Sequence, residues 1–167
     1  IPYTGSAVLG SALAMDKVRA KNVWRGLSLP TPKYLSLTES SDLIEVLEYL
    51  GGTAFVKPAE EGSSIGMSLA SSVEELQQAY FSAASFGVNI LAEKLVIGPE
   101  YTVAILGQTP LPVIQMETPH DFYDYDAKYM STSTQYHCPC SLSKADETEL
   151  QSIALKAFNA TGAKGWG

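Results

Sequence analysis

The stretch from Thr53 to Leu69 constrains the fold more than any other. Thr53 to Val56 is a short apolar run that ends in Lys57-Pro58 and opens into Glu60-Glu61-Gly62-Ser63-Ser64-Ile65-Gly66, after which Met67 to Leu69 resumes a strand pattern. The order predicts two strands joined by a glycine- and serine-rich loop, with a cation at the end of the first strand. Glycines let the backbone bend closely, and adjacent hydroxyl and N–H donors can converge on anionic oxygens. A loop of this kind suits phosphate, and hence a nucleotide. The same composition also makes a plain turn between strands, so other segments must decide.

On the amino-terminal side, Asp16 is placed to cap a helix carrying Val18, Lys21, Val23 and Trp24 as far as Gly26, and Pro30 and Pro32 then force an extended connection. A second helix is predicted over about residues 41–50, with Leu43, Ile44, Leu47 and Leu50 at helical spacing and Gly51-Gly52 as its stop. On the other side, Ser72-Val73-Glu74-Glu75 is a capping box. It opens a helix whose inner face is Leu76, Ala79, Tyr80 and Ala83.

Val88 to Val96 reads as a buried strand interrupted at Gly98-Pro99, which is expected to mark a domain junction. Two domains follow from this: 1–96 with the phosphate loop, and 97–167. In the second, Tyr101 to Leu106 and Leu111 to Met116 flank Gly107-Gln108-Thr109-Pro110 as an antiparallel hairpin. Residues 118–139 form a long polar and aromatic loop without a clear period. Ser143 then starts a helix with Leu150, Ile153, Ala154, Ala157 and Phe158 on one face and a stop at Gly162. The start without Met, and the end at Gly165-Trp166-Gly167 where a strand begins, suggest a piece of a longer protein.

With 167 residues and 46% hydrophobic content the chain can bury a real core. It contains no uncharged apolar run of about 18 residues, the length that suggests a membrane helix. Eleven basic residues against eighteen acidic ones give a net charge of −7, which argues against general binding to nucleic acid and makes any polyanion site local. Cys138 and Cys140 have no second pair to complete a zinc site and are expected to be free thiols in a reducing compartment.

Four further groups can carry chemistry. Lys17 follows the capping Asp16, so its ammonium and the helix end both favour an anion. Glu93 and Lys94 interrupt an apolar strand, where burial of charge requires a partner or a cleft. The backbone just past Glu93 can meet the edge of an adenine, and Glu100 can accept ribose hydroxyls; a Glu–Lys surface pair on an edge strand is the plainer reading. Finally, Phe122-Tyr123-Asp124-Tyr125-Asp126-Ala127-Lys128-Tyr129 lies in a loop long enough to act as a lid, in which Lys128 would descend on a phosphate and Tyr129 would lock the loop down. An ordered loop packed on its own aromatics is the alternative.

Taken together, Tyr3-Thr4-Gly5-Ser6, Ala14-Met15-Asp16-Lys17, Val56-Lys57-Pro58, residues 61–67, Glu93-Lys94, Gly98-Pro99-Glu100-Tyr101-Thr102-Val103, residues 122–129 and Gly165-Trp166-Gly167 resemble the D-alanine–D-alanine ligases of the ATP-grasp superfamily. The resemblance implies an α+β fold, with two α+β lobes enclosing a nucleotide cleft and the carboxy-terminal lobe incomplete. It implies that Lys17 and Lys57 contact nucleotide phosphates, that the Ser63-Ser64 loop covers them, and that Glu93, the backbone of Lys94, and Val96 hold adenine. Glu100 would bind ribose, Phe122 would line the ATP site, Lys128 would reach the terminal phosphate, and Ser63 and Tyr129 would form part of a latch near the first D-alanine.

The implied reaction joins two D-alanine molecules at the expense of ATP, for peptidoglycan precursors, in a cytoplasmic homodimer with two magnesium ions. The family's metal ligands lie beyond Gly167, and its domain for the first D-alanine is also absent, so this stretch alone is expected to be inactive and to bind ATP weakly at best. Two alternatives remain open: a relative that makes D-alanyl-D-lactate or D-alanyl-D-serine, and a non-catalytic nucleotide-binding module. Tyr129 favours the dipeptide.

Overall fold

The computed structural model describes residues 2–118 and 133–167. Its chain forms two compact units: residues 1–14, 19–30 and 98–167 make the first, and residues 15–18 and 31–97 the second. Both combine helices with antiparallel sheet, in keeping with an α+β class. Among the described residues no helix is long and apolar enough to cross a membrane.

The second unit is a four-stranded antiparallel sheet in the order β1-β4-β2-β3, formed by β1 (Tyr34–Leu37), β2 (Ala54–Pro58), β3 (Ser68–Ala70) and β4 (Ile90–Lys94). Two helices supply the rest of its core, α3 (Leu43–Leu50) and α4 (Val73–Ala84). Both caps follow the sequence chemistry. Asp42 accepts from the N–H groups of Ile44 and Glu45 at 3.0 and 3.1 Å. Ser72 accepts from Glu75 N–H at 3.1 Å, while the Glu75 carboxylate reaches back to Ser71 N–H at 2.7 Å. Gly51 stops α3 in a left-handed conformation.

The helices bring Val46, Leu50, Leu76, Ala79 and Ala83 onto Leu37, Ala54, Val56, Ala70, Ile90 and Ala92 of the sheet. Because side chains alternate along a strand, burial of Ala54 and Val56 on this side turns Phe55 and Lys57 to the opposite face. That opposite face carries the candidate site.

In the first unit, a three-stranded sheet in the order β5-β8-β9 joins β5 (Glu100–Thr102), β8 (Ile114–Glu117) and β9 (Gln135–His137), and β6 (Ile105–Leu106) pairs with β7 (Thr109–Pro110). The hairpin predicted on either side of Gly107 is present but split into two ladders, β5 with β8 and β6 with β7. Strand β9 lies inside the stretch expected to be a structureless loop, residues 118–139. At the end of the chain Leu106 and Trp166 form an isolated bridge rather than a strand.

Residues 1–14 and 19–30 group with 98–167 in the first unit. The reason is local packing of α1 (Val8–Met15) and α2 (Lys17–Gly26) against α5 (Lys144–Ala160) and its C-terminal turn. Trp24 Nε1 donates to the carbonyl of Ala157 at 3.1 Å, Ser6 bonds to Lys164 N–H at 2.9 Å, and Gly10 lies against the backbone of Gly162 and Ala163. The face predicted for α5 is its half-buried one, including Ile153, Ala157 and Phe158.

Candidate functional site

Strand β2 runs to Pro58, so Lys57 stands within the strand rather than beyond it. The ladder sets Phe55 opposite Glu93 and Lys57 opposite Leu91, with Tyr34 of β1 on the other side of Glu93. Lys57 and Glu93 form an ion pair, with side chains only 14% and 12% exposed, and the Lys57 ammonium also lies over the Phe55 ring at 4.7 Å. The partner demanded by a charge in an apolar strand is therefore Lys57. The edge-strand Glu–Lys pair is corrected by the same geometry: β4 is an inner strand, between β1 and β2.

Lys17 begins α2, directly after the buried Asp16. Its backbone N–H donates to Ala59 O at 2.9 Å, and its ammonium donates to the carbonyls of Pro58 at 3.2 Å, Ala59 at 3.4 Å, and Glu61. Burial pushes the Lys17 ammonium below the ordinary lysine range, and the like charge of Lys57 pushes the same way. Glu61, Glu93 and Asp16 oppose the shift. Lys17, Lys57 and Glu93 thus form one charged cluster, built from a helix start and two strands.

The loop itself departs from ordinary backbone. Ser63 and Ser64 have φ of 54° and 60°, successive non-glycine residues in the left-handed region, and Ile65 N–H closes a turn on Gly62 O at 3.1 Å. Left-handed conformations cost serine on the order of 1–3 kcal/mol each and persist only where the surroundings enforce them, which happens most often at ligand sites. Gly66, at φ 67°, ends the loop; a Cβ there would come within 2.9 Å of Pro58 Cγ and 2.7 Å of the Phe86 ring. At the root, Asn89 accepts from Ala59 N–H at 2.8 Å through its carbonyl and donates to the Glu60 carboxylate at 2.8 Å.

Lys94 is exposed and its N–H donates to Lys33 O at 2.8 Å, so that donor is committed within the protein. Val96 is 67% exposed beyond the end of β4. Glu100 opens β5 in the first unit, opposite Met116, and is exposed. Phe122, Lys128 and Tyr129 lie outside the described residues.

Two contributors were not foreseen. Phe55 is two residues before Lys57, and strand alternation alone puts them on one face. Asn89 carries no such local signal, since its role comes from register with the loop root. Among the described residues no three His, Cys, Asp or Glu side chains gather to hold a metal ion.

A family model described as D-ala D-ala ligase C-terminus matches residues 23–167. The chain is 56% identical to a D-alanine–D-alanine ligase of Saccharophagus degradans and 52% identical to one of Methylococcus capsulatus, in each case over all of this chain and 53% or 54% of the relative. It therefore spans about half the length of the curated relatives it matches. A crystal structure of the D-alanine–D-alanine ligase from Bacillus anthracis is similar with a TM-score of 0.85 at 30% identity, over 99% of this chain and 55% of that one. The same enzyme complexed with ATP gives 0.82 at 25% identity, over 99% and 53%. With a family model matched over most of its length and the ATP-grasp fold of these ligases, the chain belongs to the D-alanine–D-alanine ligase family.

Proposed function

We propose that this chain is the nucleotide-handling part of an enzyme that joins two D-alanine molecules at the expense of ATP. The observation that carries the reading is the convergence of Lys17 and Lys57 with Glu93 beside a loop held in left-handed turns. Two ammonium groups beside a glycine- and serine-rich loop suit the charge of a polyphosphate. The structure of a relative complexed with ATP supports the choice of nucleotide.

In the full-length enzyme, the carboxylate of one D-alanine attacks the γ-phosphoryl group of ATP to give an acyl phosphate and ADP. The amine of the second D-alanine then displaces phosphate and forms the peptide bond. Lys17, Lys57 and the Ser63-Ser64 loop position and neutralise the phosphates. Lys128 reaches the terminal phosphate, and Ser63 with Tyr129 latches the closed state. Val96 and the Lys94 carbonyl side of the backbone, with Glu93, hold adenine; Glu100 holds ribose and Phe122 lines the site. Such groups act by placement and electrostatic stabilisation. The two magnesium ions of the family pattern take their ligands from outside this chain. The enzyme works as a cytoplasmic homodimer in peptidoglycan precursor synthesis.

The test is turnover by the full-length protein. Phosphate release that depends on D-alanine, with D-alanyl-D-alanine as product, is expected, and Lys57→Met should lower kcat/KM on the order of 10²–10³-fold. Phosphate release indifferent to D-alanine would overturn the reading, and preferential use of D-lactate or D-serine as second substrate would reassign it. The chain alone is expected to show no turnover.

A further inference from the structure

We infer that Lys17 is a positioning residue for the phosphate loop, tethering the loop's root through backbone carbonyls before any nucleotide arrives. The inference deepens the nucleotide reading and rests on it for the identity of the ligand, but not for the tether itself. An ammonium has three donors and no acceptor. Those of Lys17 are directed at the carbonyls of Pro58, Ala59 and Glu61, within hydrogen-bond distance of all three. The residue's own N–H adds a bond to Ala59. One residue at the start of α2 thus binds the segment that joins β2 to the loop at four points.

This tether has a counterpart. Asn89 grips the same segment from the other side, at Ala59 N–H and at the Glu60 carboxylate, and Gly66 closes the far end of the loop against Pro58 and Phe86. Between these anchors Ser63 and Ser64 keep their left-handed conformations. Unfavourable backbone angles survive where neighbouring structure over-determines them. Lys17 brings a charged donor to that restraint, and hydrogen bonds from a charged donor are the stronger kind. A phosphate that later draws the ammonium towards itself would take it from carbonyls at the base of the loop, which couples nucleotide arrival to loop movement.

The experiment is hydrogen exchange on the full-length ligase without nucleotide, comparing wild type with Lys17→Met and Lys17→Arg. Tethering predicts that amides of residues 62–66 exchange about tenfold faster or more in Lys17→Met, the equivalent of one lost charge-assisted hydrogen bond. Amides of Ile90–Ala92 in the core strand should be unchanged, and Lys17→Arg, which keeps charged donors, should restore most of the loop's protection. In turnover, Lys17→Met should raise KM for ATP more than it lowers kcat. Equal loop exchange in wild type and Lys17→Met would overturn the tether, leaving Lys17 as a phosphate contact only. If Lys17→Met loses core protection as well, Lys17→Gln, with two donors on a shorter side chain, decides by the same comparison of loop with core. A wild type that does not bind ATP would sink the nucleotide reading while leaving the exchange result intact.

Discussion

Replacing Gly66 by alanine tests whether the loop's end is fixed by geometry or by mere preference for small residues. At φ 67° an alanine enters the left-handed region, which costs about 1–2 kcal/mol. Its Cβ would also lie 2.9 Å from Pro58 Cγ and 2.7 Å from Phe86 Cδ2. Phe86 is 47% exposed, so its ring can swing aside; Pro58 is buried in β2 and cannot. Overpacking of the second kind costs about 1–3 kcal/mol. Against both stands the lower entropy of the unfolded chain, about 0.4–1 kcal/mol in alanine's favour. The balance is a loss of about 1–5 kcal/mol, a sizeable part of a domain's total stability.

Gly62 supplies the control within the same loop, because a Cβ there meets nothing within 4 Å and its φ is not in the left-handed range. Gly62→Ala should be neutral or stabilising by about 0.4–1 kcal/mol. Urea unfolding of both variants in the full-length protein, with KM for ATP measured alongside, separates the two. Equal unfolding midpoints for Gly62→Ala and Gly66→Ala would refute the steric reasoning. So would an unchanged KM in Gly66→Ala accompanied by a normal midpoint.

Gly10→Ala makes a sharper case in the first unit. Helix propensity alone says that alanine in α1 should stabilise by about 0.8–1 kcal/mol. Its Cβ would instead lie 2.8 Å from the Gly162 carbonyl oxygen, a backbone atom that cannot rotate away, so thermal unfolding should show a lower Tm. The pH dependence of nucleotide affinity follows from Lys17. Its pKa is lowered below 10.5 by burial and by Lys57, and nearby phosphate must raise it again, so ATP binding takes up a proton in a pH window that opens at the lowered value.

ATP affinity, measured by titration calorimetry, should therefore fall as pH rises through that window. The stability of the nucleotide-free protein should rise there, because the unfolded chain holds the extra proton. Lys17→Met should remove both slopes, and a slope that persists in the variant would assign the effect to another group.

Much of the second unit was legible because its signals are local. The capping box at Ser72–Glu75 and the glycines after α3 stand in the sequence next to the backbone groups they satisfy. The alternation of Ala54, Phe55, Val56 and Lys57 contains the two faces of β2, although strand ends shifted by one or two residues. Helix α1 gave no signal: Val8, Leu9, Ala12, Leu13, Ala14 and Met15 are apolar all round, and periodicity needs a polar face to contrast with. Packing of residues 1–14 with 98–167 was hidden for another reason. It depends on contacts such as Trp24 with Ala157, more than a hundred residues apart in sequence.

The site divides along the same line. Lys17, Lys57 and Glu93 could be picked out as charges in places that demand a partner, but which charge meets which is a matter of register. Phe55 opposite Glu93, and the three carbonyls around the Lys17 ammonium, are properties of the assembled sheet and loop.

Whether Lys17 and Lys57 together hold a polyphosphate can be read from one ratio, the affinity of the full-length protein for ATP relative to AMP. The wild type should favour ATP, and the double variant Lys17→Met/Lys57→Met should lose at least about tenfold of that preference, as expected for losing hydrogen bonds to charged groups. An ATP-to-AMP ratio unchanged by removal of both ammonium groups would contradict the site described here.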